Sequence, residues 1–210
     1  MRDGSRDLLD ALGLDVSRET LTRLTVHRDL LAKWNPSINL VAPSTLEASW
    51  TRHIVDSAQV YSMTTVSQGQ WLDFGTGGGF PGLVCAILAA EHAPGLRFTF
   101  VESDKRKCAF LTTVVRETGI AAAIVSQRIE TIPRQNANVI SARAVAPLWK
   151  LLDYALPHLA KGGLCLFPKG ERYREEIDAA RASFHFQLND RPSITDPKAV
   201  ILSLGEIERV

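Results

Sequence analysis

The residues best suited to chemistry gather in one stretch, Asp73-Phe74-Gly75-Thr76-Gly77-Gly78-Gly79-Phe80-Pro81-Gly82, and in an acid farther along, Glu102. Four glycines in five positions leave backbone N–H groups facing a ligand, with no side chain to block its approach. Asp73 comes two residues before the first glycine, at the end of an apolar run that reads as a buried strand. That is where open α/β sheets bind ligands. Glu102 closes a second apolar run, Arg97-Phe98-Thr99-Phe100-Val101, about where a ribose-binding carboxylate belongs. Gly77-x-Gly79-x-x-Gly82 alone is a weak match to the dinucleotide fingerprint, because glycine turns also occur in α/β proteins without a cofactor. Together with the two acids, it points to a cofactor that contains a nucleoside.

Other residues carry chemistry less distinctly. Arg143 ends a strand beside the glycine loop, and a guanidinium is rarely buried without a partner. His53 and Asp56 are three apart and so share a helical face, as a functional pair or a structural one. Asn35 and Asn39 flank Pro36 and suit a turn as well as a ligand contact. Lys105-Arg106-Lys107, Arg128, Arg134, Lys150, Lys169, Arg172 and Arg174 fall mostly at strand or helix ends, as a phosphate-contacting rim or as separate solvated charges. Trp34, Trp50, Phe80 and Trp149 are candidate stacking partners for a base, with core packing the alternative for most of them. Cys85, Cys108 and Cys165 are far apart in apolar contexts, which suits reduced core residues and not a metal site.

These groups need a frame. At 210 residues with 45% hydrophobic content, the chain suits one domain carrying a helical appendage. Its 24 basic and 23 acidic residues nearly cancel, which argues against indiscriminate coating of nucleic acid but permits a local basic face. No apolar run approaches twenty residues and no charged-then-apolar leader is seen, so a cytoplasmic protein without a membrane span is expected, and a monomer is the expected state. Leu21, Leu24, Leu31 and Trp34 recur along one face after a Ser17 cap, predicting a helix that stops at Asn35-Pro36. Ser44-x-x-Glu47 predicts a capping box opening a second helix with Leu46, Trp50, Ile54, Ala58 and Tyr61 on one side. Residues 1–68 are therefore expected to form a helical cap, and residues 69–210 the core.

From Gln70 the pattern alternates strand and helix, predicting a doubly wound, mostly parallel sheet. Strands are expected at Arg97–Val101, Ala122–Ser126, Ala137–Ser141 and Leu164–Phe167, with an antiparallel pair at Phe184–Leu188 and Ala199–Leu204. A sheet of six or seven strands closed by such a hairpin is more typical of methyltransferases than of dehydrogenases, an argument from analogy.

The run Asp73-x-Gly75-Thr76-Gly77-x-Gly79-x-Pro81-Gly82 resembles the cofactor loop of class I S-adenosylmethionine-dependent methyltransferases. With Trp34-Asn35…Asn39-Leu40, Arg52-His53-Ile54-x-Asp56-Ser57 and Ser141-Ala142-Arg143-Ala144-Val145-Ala146 in the same order, the chain resembles the bacterial small-subunit ribosomal RNA guanine-N7 methyltransferases, the glucose-inhibited division protein B family. Val41 and Asn138 depart from the pattern, standing where threonine and aspartate are common.

The resemblance implies S-adenosylmethionine as cofactor, no metal, and 16S ribosomal RNA or the small ribosomal subunit as partner. It implies that Gly75 meets the cofactor through its backbone and Phe80 by packing, with Gly77 and Gly79 giving clearance beneath the methionine part. Asp73 suits the cationic amino end and Glu102 both ribose hydroxyls. Ile129 and Glu130, an ordinary amphipathic turn on their own showing, would lie beside the adenine. Arg143 would sit at the cofactor's edge with its fork within reach of guanine O6. Arg143, His53 and Asn39 are then candidates for positioning, and no general base is expected.

Guanine N7 offers an in-plane lone pair and no proton, so methyl transfer to it needs position and a dry pocket. The chain lacks the Asn/Asp-Pro-Pro-aromatic motif of amino-group methyltransferases, and Cys165 opens its strand instead of ending it. Two alternatives stay open on sequence: a nicotinamide-dependent oxidoreductase, and a non-catalytic RNA-binding module.

Overall fold

A computed structural model describes residues 4–210; residues 1–3 of the expected cap lie outside the described residues. Seven strands form one sheet: β1 (Gln68–Phe74), β2 (Gly95–Val101), β3 (Ala122–Val125), β4 (Ala137–Ser141), β5 (Leu159–Lys169), β6 (Phe184–Pro192) and β7 (Val200–Arg209). Their spatial order is β3-β2-β1-β4-β5-β7-β6. The first five pair in parallel, and β7 pairs antiparallel with both β5 and β6. The strand order reverses between β1 and β4, so the carboxyl ends of these two strands flank the crevice where such sheets bind ligands.

Alternation along the central strands divides the core. Trp71, Phe98, Phe100 and Val139 point to one face, and Leu72, Phe74, Val101 and Ile140 to the other. The first face is covered by α2 (Arg18–Ile38), α3 (Asp56–Tyr61), α4 (Gly82–His92) and α5 (Lys105–Thr118), with α1 (Gly4–Asp10) at its margin. The second face carries α6 (Leu148–Ala155) and α7 (Tyr173–Arg181). Leu24 and Leu31 of α2 and Ala58 of α3 share one buried cluster with Trp71, Leu83 and Phe100, so the N-terminal helices and the sheet close a common core.

Three local expectations change. Helix α2 runs past Pro36 to Ile38: the proline removes one N–H donor from the ladder, and the packing of buried Leu24, His27, Leu31 and Asn35 along one face outweighs that loss. The stop comes at Asn39, in the left-handed conformation with φ 47°, while buried Asn35 folds the chain back by accepting from the N–H groups of Leu40 and Val41 at 2.8 Å. Ser44-x-x-Glu47 does not open a helix. A short 3-10 turn at Pro43–Thr45 comes first, and Trp50–Val55 then winds as a wider π-helical segment feeding α3. Strand β5 extends beyond the expected Leu164–Phe167, since β4 on one side and β7 on the other both pair with it.

Candidate active site

The glycine loop starts where β1 ends. The Gly75 N–H bonds the carbonyl of Val101 at 2.8 Å, tying the loop to the neighbouring strand. Gly77 holds φ +53° and Gly79 φ +91°, a region that a side chain makes costly. At Gly79 a Cβ would also lie 2.9 Å from His27 Nε2. Pro81 caps α4, whose first residue is Gly82.

Asp73 does not face the open crevice. It is completely buried beneath the loop, with its Cβ and Cγ so close to Gly82 that an added Cβ there would stand 2.5 Å away. Ser141 Oγ donates to Asp73 Oδ1 at 2.5 Å, while Trp71 Nε1 donates to Ser141 Oγ at 2.8 Å. Burial raises the Asp73 pKa to about 7. The hydrogen bond from Ser141 pulls it back; Thr76 Oγ1 donates at 2.9 Å to the Asp73 main-chain carbonyl, and Asp73 Oδ2 is buried without a hydrogen-bond partner. The expected contact with a cationic amino group is thus corrected: the carboxyl is turned inward as the anchor of the loop.

Glu102 sits as expected at the end of β2 and is buried. Its Oε2 accepts from Gly77 N–H at 3.0 Å and its Oε1 from Asp104 N–H at 2.8 Å. Each oxygen therefore keeps a lone pair for another donor. Glu102 shares a cleft of about 230 Å³ with Gly75, Ile129, Glu130, Val145 and Tyr154. Ile129 is buried there and Glu130 exposed, which leaves an apolar surface beside a polar rim.

On the other side of Gly75 a cleft of about 350 Å³ is lined by Gly77, Phe80, His53, Arg143 and Lys107. Phe80 lies between two imidazoles: His27 stacks on it with centroids 4.8 Å apart, His53 with centroids 5.0 Å apart. The Arg143 guanidinium lies 4.9 Å from the Phe80 ring centroid, within cation–π range. His53 and Asp56 do not pair with each other. Both hold Arg143 instead: Nη2 donates to His53 Nδ1 at 3.1 Å, and Nη1 donates to Asp56 Oδ2 at 3.2 Å and to the Arg52 carbonyl at 3.3 Å.

Because Nδ1 of His53 accepts, its proton is on Nε2, which donates to Thr45 Oγ1 at 2.8 Å. Burial and the adjacent charges of Arg143 and Arg52 lower the His53 pKa to about 3, so the ring stays neutral. Of the five N–H donors of Arg143, Nε–H and one Nη2–H remain free.

A third cleft, of about 700 Å³, opens at the carboxyl ends of β4 and β5 and is lined in part by His53, Arg143, Val145, Lys169 and Glu176. The segment Arg143–Ala146 borders all three clefts. Lys169 is not a free phosphate contact: its side chain is 8% exposed and donates to Glu176 Oε2 at 2.7 Å and to the Ala146 carbonyl at 2.9 Å. Asn39 is also not brought to the site; it terminates α2 and borders none of the three clefts. Trp149 is 45% exposed, whereas Trp34 packs edge-on to Phe110. Spacing in the sequence does not mark His27, Thr45 or Ser141 as site residues. Ser141 stands only as the head of the Arg143 run, and His27 as a histidine on the stripe Thr20, Leu24, Leu31, Asn35 that α2 buries.

The reversal between β1 and β4, the glycine loop, the acid at the end of β2 and the antiparallel β7 that closes the sheet are together the frame of a class I S-adenosylmethionine-dependent methyltransferase. Solved structures share this fold. They include a SAM-dependent O-methyltransferase from Thermotoga maritima (TM-score 0.57, 15% identity, 74% of this chain and 66% of that one). They also include the N-methyltransferase NodS from Bradyrhizobium japonicum in complex with S-adenosyl-L-homocysteine (TM-score 0.51, 13% identity, 71% of this chain and 84% of that one). The family model GidB, rRNA small subunit methyltransferase G, matches residues 20–200, and the chain belongs to that family. Relatives called ribosomal RNA small subunit methyltransferase G are 50% identical in Ruegeria sp. over 95% of this chain and 97% of theirs, and 44% identical in Paramagnetospirillum magneticum over 98% and 97%. Family membership removes the oxidoreductase alternative.

Proposed function

We propose that this chain transfers a methyl group from S-adenosylmethionine to N7 of a guanine in 16S ribosomal RNA. The observation that carries the cofactor placement is the cleft around Glu102, where a buried carboxylate with a free lone pair on each oxygen faces the same space as Ile129 and the glycine loop. These residues fit an adenosine: Glu102 would take the ribose hydroxyls, Ile129 the base, and the backbone of Gly75 to Gly79 the methionine part. S-adenosylmethionine supplies an electrophilic methyl group on a sulfonium. The chain supplies no proton acceptor, because N7 carries no proton; it supplies position and exclusion of water.

The target base would enter the larger cleft across Arg143–Ala146, and a base in a duplex or stack must first be unstacked to do so. Arg143, with two donors free, would orient guanine through O6, the neighbour of N7. Family membership favours ribosomal RNA as partner, and the small subunit as its source. Among the described residues no helix is long and apolar enough to cross a membrane.

The test is methyl transfer from labelled S-adenosylmethionine to 16S ribosomal RNA from cells lacking the protein, followed by borohydride and aniline. N7-methylguanine carries a fixed positive charge that makes its nucleotide labile to this treatment, so one new strand break is expected. Incorporation without a break would mean that another atom is modified. Absence of incorporation into naked RNA and assembled subunits alike would favour the non-catalytic RNA-binding reading.

A further inference from the structure

His27 lies in α2, outside the strands and loops that form the clefts, yet it reaches the glycine loop directly. Its Nε2 is 2.8 Å from the carbonyl oxygen of Gly78. A carbonyl only accepts, so Nε2 carries the proton and donates it. The other ring nitrogen, Nδ1, is buried with no hydrogen-bond partner. Burial lowers the His27 pKa to about 4, which keeps the ring neutral and this single tautomer in place.

Two further contacts aim the ring at the loop. It stacks on Phe80, and it stands where a Cβ on Gly79 would collide with it. Hydrogen bond, steric fit and ring contact thus fall on three consecutive loop residues, all from one side chain of the helical cap. A leucine at position 27 would fill the stripe between Leu24 and Leu31 and satisfy the core. A donor aimed at a loop carbonyl is more than packing needs, and it leaves a ring nitrogen unsatisfied in the interior, which is costly.

We propose that His27 is a positioning residue for the methyl-donor loop, fixing Gly78 and Gly79 so that the backbone of Gly75 to Gly79 presents the geometry that binds the methionine end of S-adenosylmethionine. The proposal rests on the cofactor placement given above. By this account the cap sets cofactor affinity although it contributes no cofactor contact through His27, and damage to the Nε2 donor weakens cofactor binding more than turnover of the bound complex.

The test compares His27→Phe, which keeps an aromatic ring and loses the donor, with His27→Gln, whose amide Nε2 is the same number of bonds from the backbone as the imidazole Nε2. S-adenosylhomocysteine affinity by calorimetry, KM for S-adenosylmethionine, kcat and Tm are measured for each. His27→Phe is expected to raise Kd and KM by tenfold or more, with kcat changed less than threefold. His27→Gln is expected to restore affinity to within threefold of wild type. Unchanged affinity in His27→Phe, or equal losses in both folded variants, overturns the proposal.

Should His27→Phe not fold, the wild-type protein still decides. In ¹⁵N-labelled protein the Nε2–H proton is expected to exchange slowly, and more slowly once S-adenosylhomocysteine is bound; exchange indifferent to the ligand overturns the proposal. Wild-type protein that binds no S-adenosylhomocysteine would overturn the cofactor placement and this proposal together. Binding by wild type with the variants unaffected overturns this proposal alone.

Discussion

Ser141 Oγ donates to Asp73 Oδ1 across 2.5 Å, linking the carboxyl ends of the two strands where the sheet order reverses. Ser141 also accepts from Trp71 Nε1, so one hydroxyl serves two buried groups. Ser141→Ala would leave the indole N–H without an acceptor and Asp73 Oδ1 without a donor. The expected cost is about 2–4 kcal/mol, from two buried groups at roughly 1–3 each with partial relief by rearrangement. Urea denaturation measures it; a loss below about 1 kcal/mol would mean that water or a rotamer change replaces both bonds.

The buried titratable groups of the site pull stability in opposite directions with pH. His27 and His53 titrate in the fold at about 4 and about 3, below their ordinary 6.5. The stability associated with each is fully present above pH 6.5 and is lost as pH falls through the folded value. Asp73 titrates at about 7 in the fold against 3.8 ordinarily, so its stability is fully present below pH 3.8 and is lost as pH rises through 7. Between about pH 4.5 and 6 the unfolded chain binds two extra protons at the histidines and one fewer at Asp73. Net stability should rise with pH at about 1.4 kcal/mol per unit from these three groups. Asp73→Asn removes the opposing group and should steepen the slope to about twice that. Denaturation curves at several pH values compare the two slopes, and identical slopes would show Asp73 ionised in the fold.

Much of this frame was legible because it is local. Alternation at Trp71–Phe74, the breaks at Gly75–Gly79 and the acid closing Phe98–Val101 each follow from residues within a few positions of one another. The alternation of strands and helices likewise made a mostly parallel sheet legible, whereas its order, β3-β2-β1-β4-β5-β7-β6, rests on pairings between distant strands. What escaped notice depends on distant pairs: His27 with Gly78, 51 residues apart, and His53 with Arg143, 90 residues apart. Asp73 shows the limit most plainly. Its place at a strand end was correct, but whether its side chain turned outward to a ligand or inward to Ser141 depended on a residue 68 positions away. Pro36 does not end α2, because packing of its buried face carries the helix on to Ile38 and the stop is set by Asn39 in the left-handed conformation, with Asn35 holding the chain that follows.

At the loop, Gly77→Val forces a β-branched residue to φ +53°. Calorimetry with S-adenosylhomocysteine is expected to find binding lost while circular dichroism shows a folded protein. Undiminished affinity would place the cofactor elsewhere.

Glu102→Ala is expected to weaken S-adenosylmethionine by about tenfold to a thousandfold. Hydrogen bonds to a charged acceptor are worth roughly 1.5–3 kcal/mol each, and 1.4 kcal/mol is a factor of ten. The carboxylate also holds Gly77 and Asp104, so lost affinity alone would not identify the ribose contact. A cofactor analogue lacking the 2′-hydroxyl resolves this. Removing the hydroxyl should cost affinity with wild type and much less with Glu102→Ala. Equal costs would leave Glu102 as a brace for the loop and place the ribose on other groups.

The last expectation concerns Arg143. Its guanidinium serves three acceptors on the neighbouring helical segment, His53 Nδ1, Asp56 Oδ2 and the Arg52 carbonyl, and it also lies over Phe80. A lysine keeps the charge but has neither the planar fork nor the spacing to meet these groups together. Arg143→Lys should therefore lower kcat by up to about a hundredfold, the scale of a misplaced reacting group. S-adenosylhomocysteine affinity should change less, because the groups proposed to hold adenosine lie across Gly75, although Arg143 shares the cleft of Gly77 at the methionine end. His53→Ala removes one acceptor and leaves the Asp56 pair, so it should lower kcat less than Arg143→Lys. Rapid-quench methylation of ribosomal RNA at saturating cofactor separates the methyl-transfer step from binding. A full-rate transfer step in Arg143→Lys, with only RNA affinity reduced, would make Arg143 a docking contact and remove it from the positioning of guanine.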